Sequence, residues 1–210
     1  SPRTTGLDAD ALRHIQHGTL RYSYRGIPTE KNPFDFALYP LLLWRVQPRT
    51  IIEIGSRHGG SAVWLADLLR VFGIAGHVHS IDVAPVAGLD HPGVTFHRGD
   101  ARDLGATLTP ALLATLPRPW LVIEDSDHQY ATCTRVLEFF ASRLEPGEYL
   151  LVEDGIVDAL GIGGDYDGGP NRAVREFLAA HPETYSVDRA LCDFFGPNFT
   201  YNTDGYLVKR

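Results

Sequence analysis

Two short stretches hold most of the residues that could do chemistry. In "VIEDSDH", β-branched residues run into Glu124, Asp125, Asp127 and His128. In "LLVEDG", an apolar run ends in Glu153 and Asp154 before Gly155. Both read as strands that stop in acids. Strands joined by a right-handed β–α–β connection lie parallel, and neighbours sit about 4.8 Å apart. Asp125, Glu153 and Asp154 then meet at one level above the sheet. Three carboxylates so close repel one another at neutral pH. A divalent cation relieves that repulsion, and an oxygen-only set suits a hard ion such as Mg²⁺. Asp127 and His128 stand beside it, and either could take a proton from a hydroxyl that the ion acidifies. Singly, these acids have plainer uses. Asp125 or Asp127 could cap the helix starting near His128, and Asp154 could serve the turn at Gly155.

A second constellation lies upstream, where a β-branched run ends in "EIGSRHGGS". Gly55 suits a tight turn, and Gly59 and Gly60 let a ligand approach the backbone. The free N–H groups of the helix that follows favour polar or anionic atoms. Glu53 could meet an ammonium or hold the turn. The next strand ends in Asp82, a carboxylate able to accept from both hydroxyls of a ribose. "GDA", ending the third strand at Asp100 and Ala101, could read an adenine. Ser56 and Ser61 in the turn, with Asp125 across from it, complete the expected cofactor-binding set. Arg57 stands where a dinucleotide fingerprint needs its second glycine, and no phosphate-loop Lys–Ser/Thr pair follows. NAD and ATP are therefore disfavoured. S-adenosylmethionine, with ribose, adenine and an amino-acid tail but no phosphate, fits better.

The elements that must hold these residues alternate. "LDADALRHIQHG" reads as an amphipathic helix stopped by Gly18. "PFDFALYPLLLWRVQP" reads as a second, kinked at Pro40, with Phe34, Leu38, Leu41 and Leu42 on one face. "LRYSYRGIPTEKN" between them reads as a loop. From residue 50 onward, strands at "RTIIEIG", "GHVHSIDV", "GVTFHRGD", "PWLVIED" and "PGEYLLVEDG" interleave with helical stretches. "TYSVDR" and "GYLVKR" look like two final strands with no helix between them. The expectation is an α/β fold: a doubly wound, mostly parallel seven-stranded sheet with an antiparallel edge hairpin. Residues 1–49 form an N-terminal helical segment packed on a core of 50–210, a single domain overall. "GIGGDYDGG" is read as a lid over the acceptor, and "RYSYRG" and "CDFFGPNFTYNTDG" as its walls.

Bulk properties exclude other classes. The 210 residues carry net charge −7, with 44% hydrophobic and 21% charged residues. That composition is ordinary for a globular chain and argues against a nucleic-acid binder or a basic membrane-surface protein. No apolar run reaches the ~18 residues of a membrane span. The chain has no Met, so Ser1 is not read as a translation start. Cys133 and Cys192 read as buried small residues in a reducing cytoplasm. The pairs His14/His17 and His77/His79 read as solvated side chains.

The combination of "EIGxxxGGSA", "DSDH" and "VEDG" resembles the S-adenosylmethionine-dependent methyltransferases of the cephalosporin hydroxylase and macrolide-sugar O-methyltransferase family. More distantly it is similar to catechol-type O-methyltransferases. The resemblance runs from "KNPFDFALYPLLLWRVQP" to "GYLVKR". It implies a class I methyltransferase fold, Mg²⁺ on Asp125, Glu153 and Asp154, and cofactor contacts at Glu53, Gly55, Ser61, Asp82 and Asp100. Macrolide-sugar relatives imply His128 as base; an aminocoumarin-sugar relative implies Asp127. The implied partner is a small-molecule acceptor with a sugar or polyketide-like hydroxyl, and the implied assembly a homo-oligomer. Two alternatives stand beside it: a part in a hydroxylation or methoxylation step, and a non-catalytic cofactor-binding subunit. A non-haem iron oxygenase normally needs two histidines with its carboxylate, and only His128 lies near the acids.

Overall fold

The computed structural model describes residues 4–84 and 86–210. Asp8 begins helix α1 (Ala9–Thr19) by accepting from the N–H groups of Asp10 and Ala11. The helix runs through Gly18, one residue past the expected stop. The loop expected next contains a small hairpin of β1 (Ser23–Tyr24) and β2 (Ile27–Pro28). Its turn places Arg25 and Gly26 both at positive φ, the hairpin geometry that two-residue turns favour. Strands of two residues are too short to show a period of two, so sequence reading passes over them.

Asn32 caps α2 (Pro33–Val46), accepting from the N–H groups of Phe34 and Asp35, and Pro33 fills the first turn. The helix continues past Pro40. Leu38, Tyr39, Leu42 and Leu43 are buried, whereas Leu41 is 42% exposed. Leu41 therefore leaves the expected stripe, and Tyr39 and Leu43 join it.

The remaining elements are β3 (Thr50–Ile54), α3 (Gly60–Val71), β4 (His77–Asp82), β5 (Val94–Arg98), α4 (Leu104–Thr107), α5 (Pro110–Leu113), β6 (Trp120–Glu124), α6 (Tyr130–Ala141), β7 (Tyr149–Val152), α7 (Gly169–Ala180), β8 (Tyr185–Val187), α8 (Arg189–Cys192) and β9 (Tyr206–Lys209). The main sheet has the expected seven strands, in order β5-β4-β3-β6-β7-β9-β8. Its first five are parallel, and β9 enters antiparallel to both β7 and β8. A short helix, α8, separates the two edge strands that sequence joined directly.

Every residue of β3, β6 and β7 is buried, as strands covered on both faces must be. On one face Leu38, Leu42, Trp64, Leu65 and Leu69 of α2 and α3 pack with Ile51, Leu121 and Leu151. On the other, Val136, Phe140, Ala173 and Phe177 of α6 and α7 pack with Val122, Leu150 and Leu207. Register does the rest: Ile54 pairs with Glu124, and Glu124 with Val152. Asp125 donates its N–H to the Ile54 carbonyl, and Glu153 to that of Glu124. The acids thus leave the sheet at one level, set by backbone pairing alone.

Candidate functional site

The sheet reverses its winding at β3, between β4 and β6, and ligands of open α/β sheets bind above such a switch point. A cleft of about 780 Å³ lies there, over the carboxyl ends of β3, β4, β6 and β7. Gly55, at φ 105°, makes it possible: a Cβ on Gly55 would lie 1.9 Å from the Asp125 carbonyl oxygen. Only a residue without a side chain lets the β3 turn pass so near the end of β6.

On the turn side, Ser56, Ser61, Asp82, Asp100 and Ala101 line the cleft with Gly55. Asp82 accepts from the N–H groups of Arg57 and Ala84, which fixes its carboxylate at the strand end. Asp100 is paired with Arg102, whose hydrogen bonds hold its carboxyl down at about 2. Glu53 lies beneath the turn, fully buried, accepting from Ser61 and Ser80. Burial pushes its carboxyl up to about 7. Of the two roles sequence left open for Glu53, this geometry is that of holding the turn. Gly59, at φ 79°, starts α3 under the side chains of Leu89 and Phe96, away from the cleft wall.

On the acid side the structure brings Asp125, His128 and Asp154 together. One ligand atom from each lies within 4.8 Å of the others, and among the described residues no other acid, His or Cys group does this. His128 and Asp154 both adopt left-handed backbone, φ 59° and 56°, uncommon away from glycine. That conformation turns His128 Nε2 to 3.3 Å from Asp154 Oδ2. Burial raises the Asp154 carboxyl, and His128 opposes the rise.

Glu153 stands one step deeper. Its two oxygens accept from the Tyr39 hydroxyl and from Lys31 Nζ. Lys31 Nζ also donates to Asp125 Oδ2 at 2.6 Å. Burial lowers the Lys31 ammonium pKa, but Asp125 and Glu153 outweigh that and hold it well above the usual value. Burial and the nearby Asp125 push Glu153 up, against Lys31. So a lysine ammonium already answers part of the repulsion that the three acids imply. Asp125 and Asp154 fit a hard cation directly. Glu153 would join them by exchanging Lys31 for the ion. Sequence reading missed Lys31; the available signal was rarity, since Lys31 and Lys209 are the only lysines among 19 basic residues. An ammonium is a compact point charge that fits between two carboxylates where a guanidinium fork would not.

The two candidate bases differ in what holds them. Asp127 accepts from the Gln129 N–H and from Thr132 Oγ1, which is a helix-start role for α6. His128 faces Asp154 on one side and the Tyr166 ring, 5.8 Å between centroids, on the other. The segment expected as a lid, residues 161–169, holds one 3₁₀ turn, Gly163–Tyr166, that follows another at Gly155–Asp158, and its Ile162 and Tyr166 line the cleft. Of the two expected acceptor walls, only Tyr201 of the second reaches it. The other histidine pairs split. His14 is exposed, whereas His79 is half-buried and shares a hydrogen bond of 3.0 Å with His97. Cys133 and Cys192 are buried and unpaired as thiols.

The sequence pattern of the family described as Rhamnosyl O-methyltransferase/CmcI matches residues 17–210. A rhamnosyl O-methyltransferase of Mycobacterium bovis (strain BCG / Pasteur 1173P2) is 29% identical over 217 residues, covering 99% of this chain and 87% of the relative. Another, of Mycobacterium leprae (strain TN), is 28% identical over 194 residues, covering 90% of this chain and 83% of the relative. Among solved structures, CmcI described with Mg and SAM aligns with a TM-score of 0.71 at 26% identity, covering 100% of this chain and 82% of that one.

Proposed function

The chain belongs to the Rhamnosyl O-methyltransferase/CmcI family, and from that premise we propose how it methylates a sugar hydroxyl. It is an S-adenosylmethionine-dependent O-methyltransferase. The observation that carries the proposal is one cleft with two ends: a glycine turn with Asp82 at one, and Asp125, His128 and Asp154 at the other. The turn end takes the cofactor. Asp82 accepts from the ribose hydroxyls, Ala101 and Asp100 flank the adenine, and Gly55 and Ser56 give the backbone room for the amino-acid tail.

Asp125 and Asp154, with Glu153 behind them, would hold Mg²⁺, which when bound lowers the pKa of an acceptor hydroxyl. His128 takes the hydroxyl proton at a ring nitrogen, and Asp154 orients the ring. The acceptor oxygen bonds to the methyl carbon as the carbon–sulfur bond breaks toward sulfur. The products are the methyl ether and S-adenosylhomocysteine. Holding both reactants in line supplies much of the rate. Asp127 keeps the start of α6 in place. A hydroxylation step and a non-catalytic subunit are not favoured, because the relatives are named O-methyltransferases.

The same proposal places the enzyme in the cytoplasm as a homo-oligomer. Two buried thiols left unpaired support a reducing compartment. An exposed apolar patch of Leu41, Trp44 and Val71 supports self-association, with Trp44 and Phe72 edge to face. Light scattering of the purified chain and of Trp44→Glu tests it; a wild-type monomer would remove that part. Among the described residues no helix is long and apolar enough to cross a membrane. The main test is calorimetric binding of S-adenosylmethionine and S-adenosylhomocysteine, followed by methyl transfer from labelled cofactor to methyl α-L-rhamnopyranoside. Micromolar cofactor binding is expected. No binding of either cofactor, with or without Mg²⁺, would sink the proposal.

A further inference from the structure

Helix α1 brings polar side chains to the acid end of the cleft, and the protein itself uses little of their hydrogen-bonding capacity. The helix is clamped there by a small apolar cluster in which Leu12 packs with Ile156 and Tyr201, flanked by Ile15 and Leu160. That clamp turns Gln16 and Thr19, three residues apart on one helix face, onto the cavity wall, which Tyr201 shares. Gln16 Oε1, Thr19 Oγ1 and the Tyr201 hydroxyl are all buried, and none has a well-formed hydrogen bond. Thr19 and Tyr201 face each other.

Buried polar side chains are as a rule paired, and a helical threonine can usually bond back to the carbonyl of the preceding turn. Thr19 does not. Gln16, Thr19 and Tyr201, from opposite ends of the chain, meet at one wall of one cavity, with these polar atoms just behind its surface. The wall adjoins the acid cluster, since the Asp154 charge acts on the Tyr201 hydroxyl. Leu20, Ile156 and Leu160 line the cavity beside them. The wall therefore alternates hydrogen-bonding side chains, little used by the protein itself, with apolar ones. That is the complement of a sugar ring, which carries hydroxyls on its rim and C–H groups on its face.

We infer that this wall is the acceptor subsite: Gln16, Thr19 and Tyr201 bond the sugar hydroxyls that are not methylated, and Leu20, Ile156 and Leu160 take the C–H face. Gln16 Oε1 accepts from one hydroxyl; Thr19 and Tyr201 exchange their contact with each other for hydrogen bonds to the ring. The inference rests on the sugar O-methylation proposed above and adds what selects the sugar. A site built to pair hydroxyls rejects an analogue that lacks them, because its own buried groups then stay unpaired.

The test uses the full chain with S-adenosylhomocysteine and Mg²⁺, and methyl α-L-rhamnopyranoside as probe, followed by saturation-transfer NMR and calorimetry. Thr19→Val and Tyr201→Phe keep shape and remove the hydroxyl. Each is expected to weaken glycoside binding about fivefold to thirtyfold while leaving S-adenosylhomocysteine affinity unchanged. The double variant Thr19→Val/Tyr201→Phe, which removes both facing hydroxyls together, should keep or raise the thermal midpoint of the ligand-free protein. A merely structural role predicts a lower midpoint. Unchanged glycoside affinity in both single variants, or a lowered midpoint in the double variant, overturns the inference. Wild-type protein that binds S-adenosylhomocysteine but not the glycoside overturns it alone; wild-type protein that binds neither overturns the proposed function as well.

Discussion

Replacing Lys31 by Met should tighten divalent-cation binding while destabilising the metal-free fold. The Lys31 side chain is 5% exposed, and its ammonium pairs with Asp125, 20% exposed, and Glu153, 4% exposed. Removing one partner of a buried ion pair costs about 3–5 kcal/mol, because the other charge stays buried. For a chain of this size each kcal/mol lowers the thermal midpoint by about 2–4 °C, so metal-free K31M should melt roughly 6–20 °C below wild type. The effect on the cation has the opposite sign. Two unit charges about 4 Å apart interact by roughly 4 kcal/mol at an effective dielectric of about 20, and twice that for a dication. Lys31 can withdraw when an ion enters, which recovers most of this. Retaining a sixth to a third of it corresponds to affinity about 10- to 100-fold tighter in K31M. The assay is Mn²⁺ titration by calorimetry and electron paramagnetic resonance, beside melting curves with and without the ion. At a hundredfold excess over its Kd, Mn²⁺ should restore about 2.7 kcal/mol of K31M stability. General damage to the fold can only weaken metal binding. K31M that binds Mn²⁺ no tighter than wild type would refute the view that lysine and cation compete for Asp125 and Glu153.

The two candidate bases separate by substitution: His128→Asn should lower kcat by roughly 10²- to 10⁴-fold, whereas Asp127→Asn, which keeps an acceptor for the Gln129 N–H and Thr132 Oγ1, should stay within about tenfold of wild type. Single-turnover rates with labelled cofactor read this, and the reverse order would move the base to Asp127. Gly55→Ala puts a Cβ 1.9 Å from a backbone oxygen and should yield insoluble or unfolded protein. Gly26→Ala, at φ 81° with nothing within 4 Å, should cost only about 1–2 kcal/mol in urea unfolding; equal losses would contradict the close approach of β3 and β6. His79 is pushed down to about 4 by burial and by His77 and His97. Its depressed pKa means that, as pH falls from about 6.5 toward 4, the unfolded chain takes up the proton first and stability drops. Buried Asp35, raised to about 6, acts with the opposite sign over a similar range, so the readout is a difference. Urea unfolding of His79→Asn should show less loss than wild type over that window, and parallel curves would show that His79 does not carry it.

Much of the fold was legible because its signals are local. Apolar runs ending in "EIG", "IED" and "VED" have the length and β-branching of buried strands, and glycines or acids end them. Five parallel strands, with helices between all but β4 and β5, follow from that pattern, as does the antiparallel edge, because only the four-residue α8 comes before "GYLVKR". The misses are just as physical. Ser23–Tyr24 and Ile27–Pro28 are too short to show a period. Leu41 and Leu42 are adjacent in sequence, so only the angle at which α2 meets the sheet decides that one is exposed and the other buried.

The sequence by itself determined which residues could do chemistry and at which strand ends they stand, because register follows from strand length and turn position. It placed Asp125, Glu153 and Asp154 at one level, and backbone pairing keeps them there. What those side chains touch was decided only by the tertiary structure. Lys31 comes from a segment 94 residues before Asp125 and 122 before Glu153, and no local pattern records that distance. Left-handed backbone at His128 and Asp154 turns two residues of unconnected loops toward each other. Helix α1 reaches the cleft wall because Leu12 and Ile15 find Ile156, Leu160 and Tyr201. Chain connectivity sets composition and period, whereas contact between distant segments depends on packing three-dimensional shapes, which a linear pattern does not encode.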